Sequence, residues 1–263
     1  MSALSATVAL FQRDIKAVIR SRSQLYSSMF TPLLLLVLLG TGVSEGLDPA
    51  KLPGNGNFTA YLVAGSVVMT AVFSSTFSSA SYYRDRDSGI LRMLLSAPHD
   101  PHWILLGKSL AGVAIGAAQA LIVLAVAAPF VDFEWQYGIP LGIAVCLAVV
   151  LLLNLFLGGV AQGFASRIQT MQGFHLVMNL ALFPLLFFSG AFFPVDNLPM
   201  WLEILARINP LSYAVDALEL ATYADSSAAF FGLAIDFVVL GGLAVGVYTL
   251  GLARAPKLTF SGK

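Results

Sequence analysis

The chain reads Tyr82-Tyr83-Arg84-Asp85-Arg86-Asp87-Ser88-Gly89-Ile90-Leu91-Arg92-Met93-Leu94-Leu95-Ser96-Ala97-Pro98 between two long apolar runs. Each charged side chain in this stretch would cost about 2.5–3.5 kcal/mol at the centre of a membrane helix, so the stretch lies in water or against another protein. Asp87 or Ser88 can cap a short helix. The apolar side of that helix is formed by Ile90, Leu91, Leu94 and Leu95. Pro98 and Pro101 end the helix. The pattern predicts a short docking element held between two membrane spans.

Composition identifies the broad class of the protein. Of 263 residues, 58% are hydrophobic and only 11% are charged, where a soluble domain carries about a quarter charged residues. The chain is therefore a polytopic membrane protein. Its zero net charge excludes an ordinary nucleic-acid binder, which needs basic residues to neutralise phosphates. The single cysteine, Cys146, excludes a disulfide framework within one chain.

Residues 1–22 form a predicted amphipathic helix that lies in the membrane interface. Its apolar positions recur at spacings of three and four, and its charged positions take the other faces. The apolar set is Leu4, Val8, Phe11, Ile15 and Val18, and the charged set is Arg13, Asp14, Lys16 and Arg20. A cleavable signal peptide is the alternative, with Thr41-Gly42-Val43-Ser44 near its end, but the charged part is too long and too regular for one.

Six apolar segments have the length that a bilayer demands, roughly twenty residues each. They are Leu25–Val43, Thr59–Ser81, Ser109–Phe130, Gly138–Phe164, Gly173–Ser189 and Ala228–Leu252. With the amino terminus inside, every Lys and Arg except Lys51 and Arg207 falls on the inner side. Because inner loops are enriched in Lys and Arg, we expect both termini and the 82–108 loop to be cytoplasmic and 190–225 to face outward.

A second informative stretch follows the fifth span. It reads Phe187-Phe188-Ser189-Gly190-Ala191-Phe192-Phe193-Pro194, and Asn209-Pro210-Leu211-Ser212-Tyr213 comes shortly after it. Prolines and glycines break any spanning helix here, and broken backbone at membrane depth is tolerated only against protein or a water-filled cavity. We expect a re-entrant cap in which Phe188, Phe192 and Phe193 plug the outer mouth and Tyr213 adds a hydrogen bond. A static cap that only anchors helices is the alternative.

These two stretches resemble the signatures of ATP-binding-cassette (ABC) type-2 export permeases. The inner signature is residues 83–98, and the outer one combines Ser189-Gly190, Phe193-Pro194, Leu198-Pro199, Trp201-Leu202 and Asn209-Pro210-Leu211-Ser212-Tyr213. The resemblance covers essentially the whole chain as one transmembrane domain, 1–263. One departure is Ile90, where the family often has threonine. The implied fold is all-α, with an interfacial helix, six transmembrane helices, and short re-entrant or interfacial helices before the last span.

The resemblance also implies partners and site residues. Two copies of a nucleotide-binding ATPase would bind ATP and Mg, so this chain carries no cofactor, and a second permease copy would complete a homodimer in a prokaryotic cytoplasmic membrane. The ATPase would dock on Arg84, Asp85, Arg86, Asp87, Gly89, Leu91, Arg92, Leu94 and Leu95. The outer gate would consist of Phe188, Gly190, Phe192, Phe193, Pro194, Asn209, Pro210 and Tyr213. Relatives export drugs, lipids or glycans.

Other function classes lack their residues in this chain. Gly107-Lys108-Ser109 resembles the end of a phosphate-binding loop, but His102 stands where that loop needs a glycine. His99 and His102 have metal-ligand spacing without a third ligand, so we expect no metal site. A secondary carrier or channel that is not coupled to ATP is the alternative function, and it would show paired buried charges or inverted repeats.

Polar residues within the spans allow two interpretations. Gln119, Asn154, Gln162 and Asn179 either line a transport path or bond helix to helix, and we expect helix contacts for most of them. Asp236 is the one acid near a span, and intramembrane acids are typical of functional sites. We expect its helix to enter lipid just after it, which would leave Asp236 in water.

Overall fold

The computed structural model describes residues 3–46, 58–90, 93, 101–131, 133, 135–165, 167–193, 199–222 and 230–253. Its helices are α1 (Ala3–Arg20), α2 (Arg22–Gly46), α3 (Phe58–Ser79), α4 (Ser81–Asp87), α5 (Pro101–Ala127), α6 (Ile139–Ala165), α7 (Met171–Phe187), α8 (Met200–Ile208), α9 (Pro210–Thr222) and α10 (Leu233–Ala253). These ranges contain no strand, which confirms the all-α prediction for them. Helix α5 begins at Pro101, before the predicted start of its span at Ser109, and proline is tolerated there because the first turn of a helix does not need its missing amide proton.

Helix α3 is the centre of the fold. Eighteen of its 22 residues are buried, because α2, α5, α6, α7 and α9 surround it. Its hydroxyl side chains bond to the helix itself: Thr70 Oγ1 donates to the Ser66 carbonyl at 2.7 Å, and Thr76 Oγ1 to the Val72 carbonyl at 2.9 Å. Such bonds satisfy hydroxyl groups of a Ser- and Thr-rich helix in an apolar core, whereas Ser74 Oγ, also buried, has no partner among the described groups.

Fewer spans meet the length and hydropathy criteria than the six predicted. Three do so among the described residues: Phe58–Asp87, which joins α3 and α4, then Leu106–Ala127 and Ile139–Ala165. The pair α1–α2, bent by 66°, supplies a fourth if it is counted as one span. Helix α7 and residues 233–249 of α10 are apolar but shorter. The described residues therefore include three helices long and apolar enough to cross a membrane, as expected of an integral membrane protein.

The face of helix α1 that packs on α5 includes polar residues. The buried residues are Thr7, Leu10, Asp14 and Val18, spaced by three or four along the side that packs on α5. From the predicted stripe, Val18 is buried, but Val8 is 45% exposed. The inward face thus includes a carboxylate, and a buried carboxylate requires a partner.

Candidate docking site

Helix α4 has an inner and an outer face. Tyr83 and Asp85 are buried, whereas Arg84, Arg86 and Asp87 are exposed. Alternation within a single seven-residue helix therefore separates the predicted docking residues into two groups. Three of them, Arg84, Arg86 and Asp87, lie where another protein can reach them.

The end of α4 is formed by Ser88 and Gly89. Ser88 is the C-cap of α4, and its hydroxyl donates to the Arg84 carbonyl at 2.8 Å. Gly89 is exposed and has φ +76°, a left-handed conformation that favours glycine. The predicted docking residues Leu91, Arg92, Leu94 and Leu95 lie outside the described residues, so their apolar face stays a prediction.

Asp85 belongs to a buried ion cluster and not to the outer face. Its Oδ2 lies 2.6 Å from Nη2 of Arg13 and 2.5 Å from Nζ of Lys108. Asp14 completes the cluster, with Oδ1 2.7 Å from Arg13 and Oδ2 3.2 Å from Lys108. Ser81 Oγ accepts a further hydrogen bond from Lys108 at 3.0 Å. The prediction that Asp85 faces a partner protein is therefore corrected: two cations of the same chain already occupy its carboxylate.

The sequence interpretation missed this cluster, although two signals pointed to it. Lys108 stands at the start of an apolar run, where an ammonium group needs either water or an anion. Asp14 is the one acid among the charged residues of α1. Residues 94 positions apart, such as Asp14 and Lys108, cannot be matched from sequence alone.

Tyr83 anchors the inner face of α4 to a second place in the fold. Its hydroxyl lies 3.1 Å from the Ile168 carbonyl and 3.3 Å from the Ala165 carbonyl, at the end of α6. Its ring packs on Phe174 of α7 with 5.4 Å between centroids. Helix α4 is therefore fixed to α1 and α5 through Asp85 and to α6 and α7 through Tyr83.

The polar residues proposed for a path lie mostly in helix contacts. Gln119 Nε2 donates to Ser28 Oγ at 2.7 Å and joins α5 to α2. Asn154 Nδ2 donates to the Val150 carbonyl at 2.9 Å, and the side chain packs against Gly116 of α5. Gln162 bonds to Ser109 at 2.9 Å and joins α6 to α5. Asn179 is exposed on α7.

Asp236 lies in protein and not in water, which overturns the expected position. Its side chain is fully buried in the first turn of α10, within reach of Asp216. Neither carboxyl oxygen of Asp236 has a hydrogen-bond partner among the described groups. The Asp216 carboxylate accepts the backbone N–H groups of Phe230, Phe231 and Gly232 at 2.9, 2.8 and 3.1 Å. Asp216 thus caps the start of α10.

The 188–193 turn, which follows α7, sits on α3. Tyr61 of α3 donates its hydroxyl hydrogen to the Gly190 carbonyl. Gly65, one helical turn further along, leaves room for the Ala191 backbone, since a Cβ there would overlap the Ala191 carbonyl oxygen. Gly190 itself has φ +89°. The turn therefore depends on two glycines. Gly190 adopts the left-handed conformation of the turn, and Gly65 leaves the space in which the turn contacts α3.

The aromatic residues of this turn do not form one buried plug within the chain. Phe193 is 63% exposed and Phe188 is 38% exposed. Phe192 is partly buried and packs on Phe187, with 5.4 Å between ring centroids. Pro194 lies outside the described residues. Any plug formed by these rings must therefore involve more than the described part of one chain.

Asn209 links the end of α7 to the start of α9. It is buried, its Nδ2 donates to the Leu185 carbonyl at 2.5 Å, and its Oδ1 accepts from Leu211 N at 3.0 Å. Pro210 is the first residue of α9. Tyr213 donates to the Arg207 carbonyl at 2.7 Å and stacks on Phe231 at 4.1 Å. The predicted outer motif thus holds α7, α8, α9 and the approach to α10 together.

Comparison with known proteins finds a matching family model and several related proteins. The family model described as ABC-2 type transporter matches residues 5–223. The chain is 29% identical to "Probable multidrug ABC transporter permease YbhR" of Escherichia coli K12 over 57% of its own length and 39% of that protein. It is 29% identical to "Putative transport permease ycf38" of Porphyra purpurea, over 80% of this chain and 71% of the relative. The chain is also 29% identical to "Nodulation protein J" of Rhizobium leguminosarum bv. trifolii, over 69% of this chain and 68% of the relative.

The family match spans most of the chain and includes both the α4 stretch and the outer motif. The structure adds an all-α membrane architecture with an anchored helix that presents arginines on its outer face. Together these observations confirm the resemblance carried by residues 83–98 and 189–213, and the chain belongs to the ABC-2 type transporter family of membrane permeases.

Proposed function

We propose that this chain is the membrane-spanning subunit of an ATP-driven exporter that works with a separate nucleotide-binding ATPase. The observation that carries the proposal is the two-faced helix α4, which exposes Arg84 and Arg86 while Tyr83 and Asp85 tie it to four other helices. A rigidly mounted pair of arginines suits a partner that must push on the membrane helices, since arginine forms charge-assisted bonds with carboxylates. The cargo is an amphipathic drug, a lipid or a lipid-linked glycan.

The working unit is proposed to contain two copies of this chain and two ATPase copies, with ATP and Mg bound by the ATPase. The chain spans a prokaryotic cytoplasmic membrane six times, and both termini are cytoplasmic. Helices α2, α3, α5, α6, α7 and α10 are the spans, and α1 and α8 lie at the interface. Exposed apolar residues on α8, namely Met200, Trp201, Ile204 and Ile208, support an interfacial position.

Charge reversal at Arg86 tests the coupling role. In the R86E variant a partner carboxylate loses its bond and meets a like charge, which costs about 2–5 kcal/mol or roughly thirty-fold or more in affinity. We expect R86E to insert and fold normally, to retain little ATPase on co-purification, and to lose ATP-driven export. The measurement is ATPase recovery and cargo transport in proteoliposomes.

The matched control is R207E, which reverses an exposed arginine on α8 that pairs with Glu203 at 2.7 Å and lies 4.8 Å from the centroid of the Phe230 ring. Exposed ion pairs contribute little to the free energy of unfolding, so R207E should keep wild-type ATPase binding and export. Full transport and ATPase binding by correctly inserted R86E would refute the docking role. Export by the wild-type chain without any ATPase would instead favour a carrier or channel.

The topology is tested independently of transport. We expect reporter fusions placed after Ser96 and after Leu198 to report opposite sides of the membrane, because Lys and Arg concentrate on the side of residues 82–108. Alkaline phosphatase and green fluorescent protein fusions in whole cells make the measurement. Signals from the same side would overturn the six-span arrangement.

The 188–193 turn is proposed to close the outer mouth of the path until ATP drives it open. Support comes from its seat on α3, the most enclosed helix, and from the exposed rings of Phe188 and Phe193, which a second copy can cover. A static cap that only anchors α7 and α9 is the competing role. The two roles differ in whether solute leaks when the seat is disturbed.

A further inference from the structure

We infer that the ion cluster of Arg13, Asp14, Asp85 and Lys108 is a clamp that transmits movement of α4 to α1 and α5, which makes these four residues positioning residues for coupling. The inference rests on the proposed function, since it concerns how force from an ATPase on α4 reaches the membrane helices. None of the four is placed to contact cargo or nucleotide.

The first argument is where the cluster sits in the chain. Asp85 lies near the start of the 82–108 loop and Lys108 at its end, and their side chains meet at 2.5 Å. This ion pair joins the two ends of the loop and fixes them relative to each other. Helix α1 is tied to the same pair, because Arg13 lies 2.6 Å from Asp85 and Asp14 lies 3.2 Å from Lys108.

The second argument is burial. The side chains of Lys108, Asp14 and Asp85 are 5%, 8% and 9% exposed, and Arg13 at 35% is the member nearest to water. Two cations and two carboxylates balance, so the closed cluster carries no net charge. Each member bonds two others, so withdrawing any one residue from the cluster would leave a net buried charge, which is strongly unfavourable. The cluster therefore moves as one unit or not at all.

The third argument is the close contact of the helix backbones beside the cluster. A Cβ on Gly107 would lie 2.9 Å from the Thr7 carbonyl oxygen and 3.3 Å from Cβ of Leu10. Helix α1 thus touches α5 directly next to Lys108, with no side chain between them to absorb a shift. Packed backbones at this distance convert a movement of one helix into a movement of the other.

Stability alone does not explain this arrangement. Buried ion pairs are often replaceable by apolar residues of similar size without loss of stability, whereas their geometry is specific. A positioning role therefore predicts that a neutral replacement folds but couples poorly. That separation between folding and coupling is the property to measure.

The main variant is the double substitution Asp85→Asn with Lys108→Met, which removes one cation and one anion and leaves the Arg13–Asp14 pair intact. In proteoliposomes with the ATPase, we expect normal insertion and normal ATPase recovery, but at least a fivefold drop in cargo moved per ATP hydrolysed. The matched control is Glu203→Gln with Arg207→Met, which removes one exposed ion pair elsewhere and should leave that ratio unchanged.

A second variant keeps the test decisive if the double variant does not insert. Arg13→Lys keeps the positive charge that balances the cluster but loses the guanidinium fork that bonds both Asp14 and Asp85, so folding is retained. We expect at least a twofold fall in cargo per ATP with unchanged ATPase recovery. An unchanged ratio in Arg13→Lys, or in an inserted double variant, overturns the clamp. Failure of the proposed function looks different, because the wild-type chain would then show no ATPase recovery and no ATP-dependent transport.

Discussion

Gly65→Ala is expected to destabilise the protein by about 2–4 kcal/mol, the sum of overpacking a tight contact and losing one buried hydrogen bond. The added methyl group would overlap the Ala191 carbonyl oxygen, so the 188–193 turn must move off α3. The bond from the Tyr61 hydroxyl to the Gly190 carbonyl then breaks. Thermal unfolding of the purified protein in detergent measures the effect as a lower Tm.

Gly158→Ala is the matched control, because nothing lies within 4 Å of a Cβ at that position of α6. Alanine is favoured over glycine within a helix by up to about 1 kcal/mol, so this variant should be as stable as the wild type or more so. A wild-type Tm for both variants would mean that the position of the turn does not depend on its contact with Gly65.

The same Gly65→Ala protein also separates a gate from an anchor. If the 188–193 turn closes the path, proteoliposomes that contain inserted Gly65→Ala protein should leak a small solute faster than wild type, with more ATP hydrolysed per cargo molecule. A static cap would lower Tm without a leak. Phe192→Ala with Phe193→Ala should reproduce the leak, since it removes the aromatic rings without disturbing the glycine contact.

Asp216→Ala is expected to cost about 2–4 kcal/mol, because it leaves backbone donors at the start of α10 without their acceptor. Three N–H groups, of Phe230, Phe231 and Gly232, bond to the Asp216 carboxylate in the native protein. Hydrogen exchange should become faster at these three amides and in the first turn of α10, while the amides of α6 keep their protection. Mass spectrometry of peptides from residues 228–240 measures the change.

The control for this prediction is Asp236→Asn. Asparagine has nearly the size of the buried side chain it replaces, and the two Asp236 carboxyl oxygens have no hydrogen-bond partner among the described groups. We expect its stability to remain within about 1 kcal/mol of the wild type, since the exchange removes no hydrogen bond of the described structure. Unchanged exchange in Asp216→Ala together with damage in Asp236→Asn would reverse the assignment of which carboxyl caps α10.

Local sequence signals predicted the helices well because their causes are local. Apolar runs bounded by glycine and proline predicted α2, α3, α6 and α7 close to their observed bounds. Helix α8 ends at Ile208 with Asn209 as its cap, as the Asn209-Pro210 pair indicated. The start of α5 was misplaced because proline can either end a helix or begin one, and the sequence alone does not distinguish the two.

Side-chain partners were predicted less well because they depend on distant residues. The exposed positions of Arg84 and Arg86 agree with the docking interpretation, but the inward turn of Asp85 depends on Arg13, 72 positions earlier. The buried position of Asp14 on α1 depends on the same cluster. Asp236 was expected in water because the sequence does not reveal that Asp216 and α9 cover it.

The enclosure of α3 also bears on how the protein is inserted during synthesis. Within the most apolar window of each span, the buried share falls from 89% in the α3–α4 span to 50% in α5 and 39% in α6, while hydropathy rises in the same order. The helix that meets the least lipid is therefore the one least suited to lipid. Since α5 and α6 are synthesised after α3, the insertion machinery must shelter α3 until its later neighbours arrive.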